Sequence, residues 1–285
     1  MGRQLGSEAL ARLKSFRLIA AETQNVINSA EGSFLYTEGR SLYSSDGPNP
    51  SFVSLVETYN ILTQAQECIA MITGDKKDFL KLARSYYSQS SLADEKDSSK
   101  YLRRAVQIIG RVSFGNLRRK DLQFIASSCH EASQLFDSEG AQYIRNANAA
   151  ANRLYFLKDS KQGLSAEELS TVGVIFVDLG CDERLHLPSR RRGIIIYKGL
   201  RALETCVSQE PEPHYYVDLA EAQDTVHKFF DGSPRLLKEA HDNFARAYKI
   251  DPTYDDLEER IEGVREELGL KNSSPNSGIS EDYFG

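Results

Sequence analysis

The chain has 285 residues, 40% hydrophobic and 27% charged, an ordinary composition for a folded soluble domain. A chain of this length buries roughly three quarters of the surface it would expose unfolded, so it needs neither a disulfide nor a metal to hold a core. The net charge is −6, yet residues 251–285 alone carry −7 and residues 1–250 sum to +1; without a dense basic surface, general nucleic-acid binding is not expected.

Helical periodicity runs through the chain, with no set of alternating strands. Residues 7–30 are predicted as a first helix, with Ser7 as N-cap and Leu10, Leu13, Phe16, Ile19 and Ala20 on one face. Residues 32–50 read as a loop, dense in turn formers from Ser44 to Pro50. A second helix starts near Ser51, runs to Thr73 and stops at Gly74. Several helix pairs follow. The run Gly193 to Tyr197 contains three consecutive Ile but continues directly into Lys198 and Leu200, so it is assigned to a buried helix rather than a strand. Residues 254–268 predict a solvating cap helix, with Leu257, Ile261, Val264 and Leu268 on one face and acids elsewhere. Residues 271–285 form a polar tail expected to be disordered. It ends in Ile279-Ser280-Glu281-Asp282-Tyr283-Phe284-Gly285, either a frayed end or a short binding motif.

A pattern recurs inside the helical region. Phe79, Leu82, Ala83 and Tyr86 space a large residue, a Leu, a small residue and an aromatic. The pattern returns as Leu122, Ile125, Ala126 and Cys129, then as Leu169, Val172, Gly173 and Phe176, then as Tyr216, Leu219, Ala220 and Gln223. Each copy precedes a second helix with small, large and small residues on one face, and at best a following Pro. These are Ser98, Leu102 and Ala105; Ala147, Ala151 and Leu154; Gly199, Leu203, Cys206 and Pro211; and Ala240, Phe244, Ala247 and Pro252. Steps of three and four place these residues on one helix face. The small ones let two helices approach, the large ones fill the gap, and Pro stops the second helix. One such pair cannot bury its apolar face alone, so pairs stack.

This organisation resembles the tetratricopeptide-repeat family, whose motif spaces W-x2-L-G-x2-Y, then A-x3-F, then P. The resemblance covers roughly residues 76–252, and Ala240–Pro252 carries it most specifically. It implies an all-α fold, a right-handed α-α solenoid. The parts are N-terminal helices over 1–75 packed on the solenoid, four repeats over 76–252, a capping helix over 253–270 and the tail 271–285. Leu82, Ile125, Val172 and Leu219 are 43, 47 and 47 apart, against about 34 in the standard repeat. The extra residues are assigned mainly to the hairpins within pairs, as at Ser91–Asp97 and Cys181–Ser189. Hairpins of this length are also similar to those of the soluble attachment-protein adaptors of membrane fusion.

No phosphate-binding Gly motif, nucleophile elbow or metal-spaced Cys/His cluster is present in the sequence. Cys129-His130 resembles a nucleophile pair only in order, because neighbouring helical residues point apart, and Cys129 already fills a packing position. The four cysteines, Cys68, Cys129, Cys181 and Cys206, lie far apart and three sit in apolar helical patterns, so reduced thiols and a cytoplasmic location are expected. No run reaches membrane-spanning length and the start holds no signal-peptide core.

The function expected is therefore a scaffold or adaptor without metal or cofactor, binding a protein or peptide. The alternative is an enzyme, or an enzyme's regulatory subunit, with an unfamiliar helical site. In tetratricopeptide-like proteins the first helix of each pair lines the partner surface. One position around from the packing residues, that stripe reads Leu80, Arg84, Tyr87; Gln123, Ser127, His130; Ser170, Val174, Val177; and Val217, Glu221, Asp224. The groove residues are accordingly Arg84, Tyr87, Gln123, Ser127, His130, Val174, Glu221 and Asp224. The family's chaperone-tail clamp of Lys, Asn and Arg is matched by too few of them to be carried over. A second candidate is the basic island Arg184, Arg190, Arg191 and Arg192, extended by Lys198 and Arg201 without an acid. It reads either as a solvated loop between helices, or one that pairs with the acidic C-terminal region, or as a docking patch for an acidic partner, a phosphate or an anionic lipid surface in a peripheral membrane contact. Nothing in the sequence sets the oligomeric state.

Overall fold

The computed structural model describes residues 7–35, 43–44, 47–48, 50–157, 163–230, 232–254 and 256–269; the tail expected over 271–285 lies outside them. The described residues form eleven α-helices: α1 (Ser7–Leu35), α2 (Pro50–Thr73), α3 (Lys76–Leu92), α4 (Glu95–Ile109), α5 (Arg119–Leu135), α6 (Asp137–Phe156), α7 (Ala166–Cys181), α8 (Ser189–Gln209), α9 (Pro213–Phe229), α10 (Pro234–Ile250) and α11 (Leu257–Glu267). Besides these there is a 3-10 turn, Glu183–Leu185, and a two-residue antiparallel ladder that pairs Tyr43 with Pro48 and Ser44 with Gly47. The ladder falls in the stretch read as turn formers and adds no sheet to any core.

Helix ends follow local chemistry. Gly74 takes a φ of +64°, the left-handed conformation that lets α2 stop. Asp75 then caps α3 by accepting from the Lys77 amide, and Asp94 caps α4 by accepting from the Asp97 amide. Ser165 and Glu168 make a reciprocal capping box on α7. Pro213 and Pro234 open α9 and α10, where their missing N–H costs nothing.

The chain divides into two compact units, and the division falls within α5 and α6. The first comprises Met1–Asp121 and Glu131–Tyr143. In it α1 packs on α2, α2 on α3, and α3 on α4, with Ile27, Tyr59 and Leu62 buried together. The second comprises Leu122–His130 and Ile144–Gly285. There α7 packs on α8, α9 on α10 and α10 on α11, while α9 also touches both α7 and α8.

The recurring small and large residues occupy the interfaces expected of them. Leu82, Ala83, Leu122, Ile125, Ala126, Cys129, Leu169, Val172, Phe176, Leu219 and Ala220 are all buried on first helices. On second helices Leu102, Ala105, Ala147, Ala151, Leu154, Leu203, Cys206, Ala240, Phe244 and Ala247 are buried as well. Gln223, where the aromatic is lost, stays buried, because its Oε1 accepts from Asn243 Nδ2 at 2.9 Å. The hairpin expectation needs one correction. Ser91–Asp97 is mostly helix, since only Ala93 and Asp94 separate α3 from α4. The extra length there goes into long helices and the connection 110–118, whereas the seven residues between α7 and α8 do form a longer hairpin.

Candidate functional site

The candidate stripe is built by the packing of first helices on one another. In the first unit, Tyr87 Oη donates to Glu131 at 2.8 Å, and Arg84 donates to the Lys120 carbonyl at 3.0 Å and to Asp121 at 3.1 Å. In the second unit, Gln123 Nε2 donates to Glu167 at 2.8 Å. His130 Nε2 faces Asp178 Oδ2 at 2.6 Å, so the carboxylate sets Nε2 as the protonated nitrogen. Ser170 Oγ donates to Asp218, and Arg260 of α11 donates to Glu221. Asp224 binds Lys228 through Oδ2 at 2.7 Å, while its Oδ1 is buried with no hydrogen-bond partner among the described residues.

Sequence reasoning missed the acceptors Glu131, Glu167, Asp178 and Asp218. A signal for them was present. Tyr87 to Glu131 and Gln123 to Glu167 are 44 positions apart, and His130 to Asp178 and Ser170 to Asp218 are 48 apart. Each offset is one repeat period plus one residue or minus three, positions a single helical turn apart. The carboxylates therefore recur in register with the repeat, one pair downstream of the donors they hold.

Burial separates the stripe into two kinds of position. Leu80, Ser170, Val177 and Val217 are buried, and Val174 packs against the core around Val177, Ile196 and Leu203. Leu80, Ser170, Val177 and Val217 are thus seam residues, while Val174 stays partly exposed beside that core. The physical reason is that a first helix such as α7 contacts both its own second helix and the next first helix, so its buried arc is wider than one stripe. Gln123, Ser127 and His130 remain partly exposed and Glu221 is exposed. Ser127, between Gln123 and His130, makes no hydrogen bond among the described residues.

The electrostatics follow the seams. Burial raises the Asp121 carboxyl, but the hydrogen bonds from Arg118 and Arg84 outweigh it and hold the group below its ordinary value. Burial raises Tyr87, and the Glu131 hydrogen bond raises it further. Asp218 is raised by burial despite the hydrogen bond from Ser170. Burial pushes the Cys129 thiol up to about 12, which leaves it neutral beside His130 and consistent with a packing role.

Of the basic island only Arg184 lies in the connection between α7 and α8, in the 3-10 turn Glu183–Leu185. Arg190, Arg191 and Arg192 sit in the first turn of α8, which has no acid and no side-chain cap. Arg192 donates to the Gly180 carbonyl at 2.9 Å and the Leu187 carbonyl at 3.0 Å, and lies 5.2 Å from the Phe229 ring centre. It ties α8 to α7 and α9. Arg184 is held by Asp182, and Arg201 by Glu204 at 2.7 Å. Arg190 and Arg191 are exposed and make no ion pair among the described residues.

Elsewhere, in the first unit, a cavity of about 480 Å³ opens among α1, α2 and α3, lined by Arg17, Gln24, Gln66, Ile69, Asp78 and Lys81. Asp78 is held there by Thr73 Oγ1 at 2.9 Å. Among the described residues no His/Cys/Asp/Glu group has a metal-holding arrangement, and no helix is long and apolar enough to cross a membrane.

Among the described residues the packing is that of helix pairs with recurring small and large residues at their interfaces. No family model matches the chain. A stretch of 89 residues is 33% identical to U3 small nucleolar RNA-associated protein 10 of Schizosaccharomyces pombe, covering 30% of this chain and 5% of that protein's length. Among solved structures, a thermophilic TPR protein of Thermus thermophilus overlaps 74% of this chain and 93% of its own, at 16% identity and a TM-score of 0.40. A de novo designed helical repeat protein overlaps 92% of this chain and 94% of its own, at 14% identity and a TM-score of 0.19. The repeat assignment rests on the periodic seams and close helix packings of this chain.

Proposed function

We propose that the chain is a non-catalytic scaffold or adaptor that holds a peptide or partner subunit on the first helices of its pairs. One observation carries this reading. In the second unit, hydrogen bonds between neighbouring first helices fix Gln123 and His130 on α5, with the uncommitted hydroxyl of Ser127 between them. Polar groups held in place before a partner arrives lose little freedom on binding, which favours affinity. Glu221 and Asp224 extend the polar row on α9, and Arg84 with Tyr87 offers a separate basic and aromatic stretch in the first unit.

The test is rebinding of a partner captured on the immobilised chain. Ser127→Arg places a large side chain in the middle of the row and should weaken rebinding at least about tenfold, or about 1.4 kcal/mol. Lys238→Ala, at an exposed position of α10, should leave it unchanged. Equal affinity of both variants with the wild type contradicts the reading.

A further inference from the structure

The outward face of α8 is the most conspicuous surface that the repeat packing does not use. Arg190, Ile194, Tyr197 and Arg201 follow one another in steps of four, three and four, and therefore share one face. Ile194 is 50% and Tyr197 65% exposed, and Phe156 of α6 is 59% exposed with the Lys198 ammonium 5.3 Å from its ring centre. Arg191 is exposed on the flank. Arg190 and Arg191, exposed and without ion pairs among the described residues, beside exposed apolar side chains mark a surface suited to an acidic segment with apolar anchors.

The chain supplies such a segment close by. Glu281 and Asp282 are adjacent, with Ile279 before them and Tyr283-Phe284 after. Its starting point is next to the basic face. Glu267, near the end of α11, lies 3.4 Å from His227 of α9. Two residues on in α9 is Phe229, whose ring centre is 5.2 Å from the Arg192 guanidinium in the first turn of α8. The twelve positions from Gly269 to Glu281 reach up to about 40 Å when extended, ample for that short route.

We propose that residues 279–284 dock in cis on the α8 face, with Glu281 and Asp282 on Arg190 and Arg191 and the flanking apolar residues on Ile194 and Tyr197. The face is then covered by the chain itself, and an acidic ligand reaches it by displacing this segment. This proposal does not depend on the polar row of α5 and α9.

The chain contains no tryptophan, so Phe284→Trp in the full chain gives a single reporter. A docked indole is shielded from water, and its emission should be blue-shifted and roughly threefold less quenchable by acrylamide than in the same chain carrying Arg190→Glu and Arg191→Glu. Glu281→Lys with Asp282→Lys, which leaves the helical core untouched, should expose the indole to the same degree. Shielding should also fall in 1 M salt, where the screening length is about 3 Å, and should be independent of protein concentration. An indole equally quenchable in all three chains overturns the proposal, as does shielding that survives both sets of charge reversals. Shielding that appears only at high protein concentration assigns the segment to a second copy and overturns docking in cis.

Discussion

Gly173 of α7 and Gly199 of α8 face one another so closely that neither position has room for a methyl group. A Cβ on Gly173 would lie 2.5 Å from Leu203 Cγ and 3.0 Å from the Gly199 carbonyl oxygen; one on Gly199 would lie 2.7 Å from the Gly173 carbonyl oxygen. Backbone atoms on both sides cannot yield as a flexible side chain does. Gly199→Ala should therefore destabilise by about 1–3 kcal/mol, the usual cost of overpacking. At Gly193, on the same helix, an added methyl would meet nothing within 4 Å. Gly193→Ala should instead stabilise by up to about 1 kcal/mol through helix propensity. Urea unfolding of the two variants checks the opposite signs.

Ala247 of α10 is fully buried in a cluster with Val217, Phe244, Leu257 and Ile261. Ala247→Glu places a carboxylate there without a partner and should cost about 4 kcal/mol or prevent folding. A thermal melt near that of the wild type would remove α10 from the repeat alignment.

Arg84 has a structural task that the sequence did not announce. It donates to Asp121, whose side chain is largely buried and whose carboxyl is held below its ordinary value. A depressed carboxyl contributes stability above its unfolded value, near 3.9, and loses it as pH falls through the folded value. Arg84→Ala should cost about 1 kcal/mol near neutrality, the guanidinium being partly exposed. That difference should shrink below about pH 4 as the carboxylate is neutralised in both proteins. Urea titrations at pH 7 and pH 3 read it, and a difference that does not change with pH would detach Arg84 from Asp121.

The three arginines at the start of α8 should behave differently from one another. Arg190→Ser with Arg191→Ser removes two exposed cations from the positive end of a helix dipole and should leave stability unchanged or raise it by about 0.5 kcal/mol. Arg192→Ser loses two carbonyl hydrogen bonds and the Phe229 ring contact, and should cost about 1–2 kcal/mol. Melting curves of the two variants separate these roles.

Much of the fold was legible because packing leaves a local record. The alternation of small and large residues on first and second helices located interfaces such as Gly173 against Gly199, and Gly74 marked the end of α2. The site was less legible. A helix that packs on two neighbours buries a wide arc, so Val177 and Val217, one step around from the packing residues, lie inside. Val172 to Val177 in α7 is a nearly unbroken apolar run, and that is the pattern of a helix enclosed on several sides. The polar seams depend on carboxylates 44 and 48 positions away, visible in sequence only after the repeat is aligned. Arg190, Arg191 and Arg192 are chemically identical there. Only the position of the Gly180 carbonyl and the Phe229 ring separates the third from the first two.

Whether partners are held on the first helices can be read from a photo-reactive amino acid placed at Ser127, at Glu221 and, as a control, at Lys238 of α10. The same cross-linked partner is expected from Ser127 and Glu221, and none from Lys238. Cross-linking from Lys238 with none from Ser127 or Glu221 would contradict binding on the first helices.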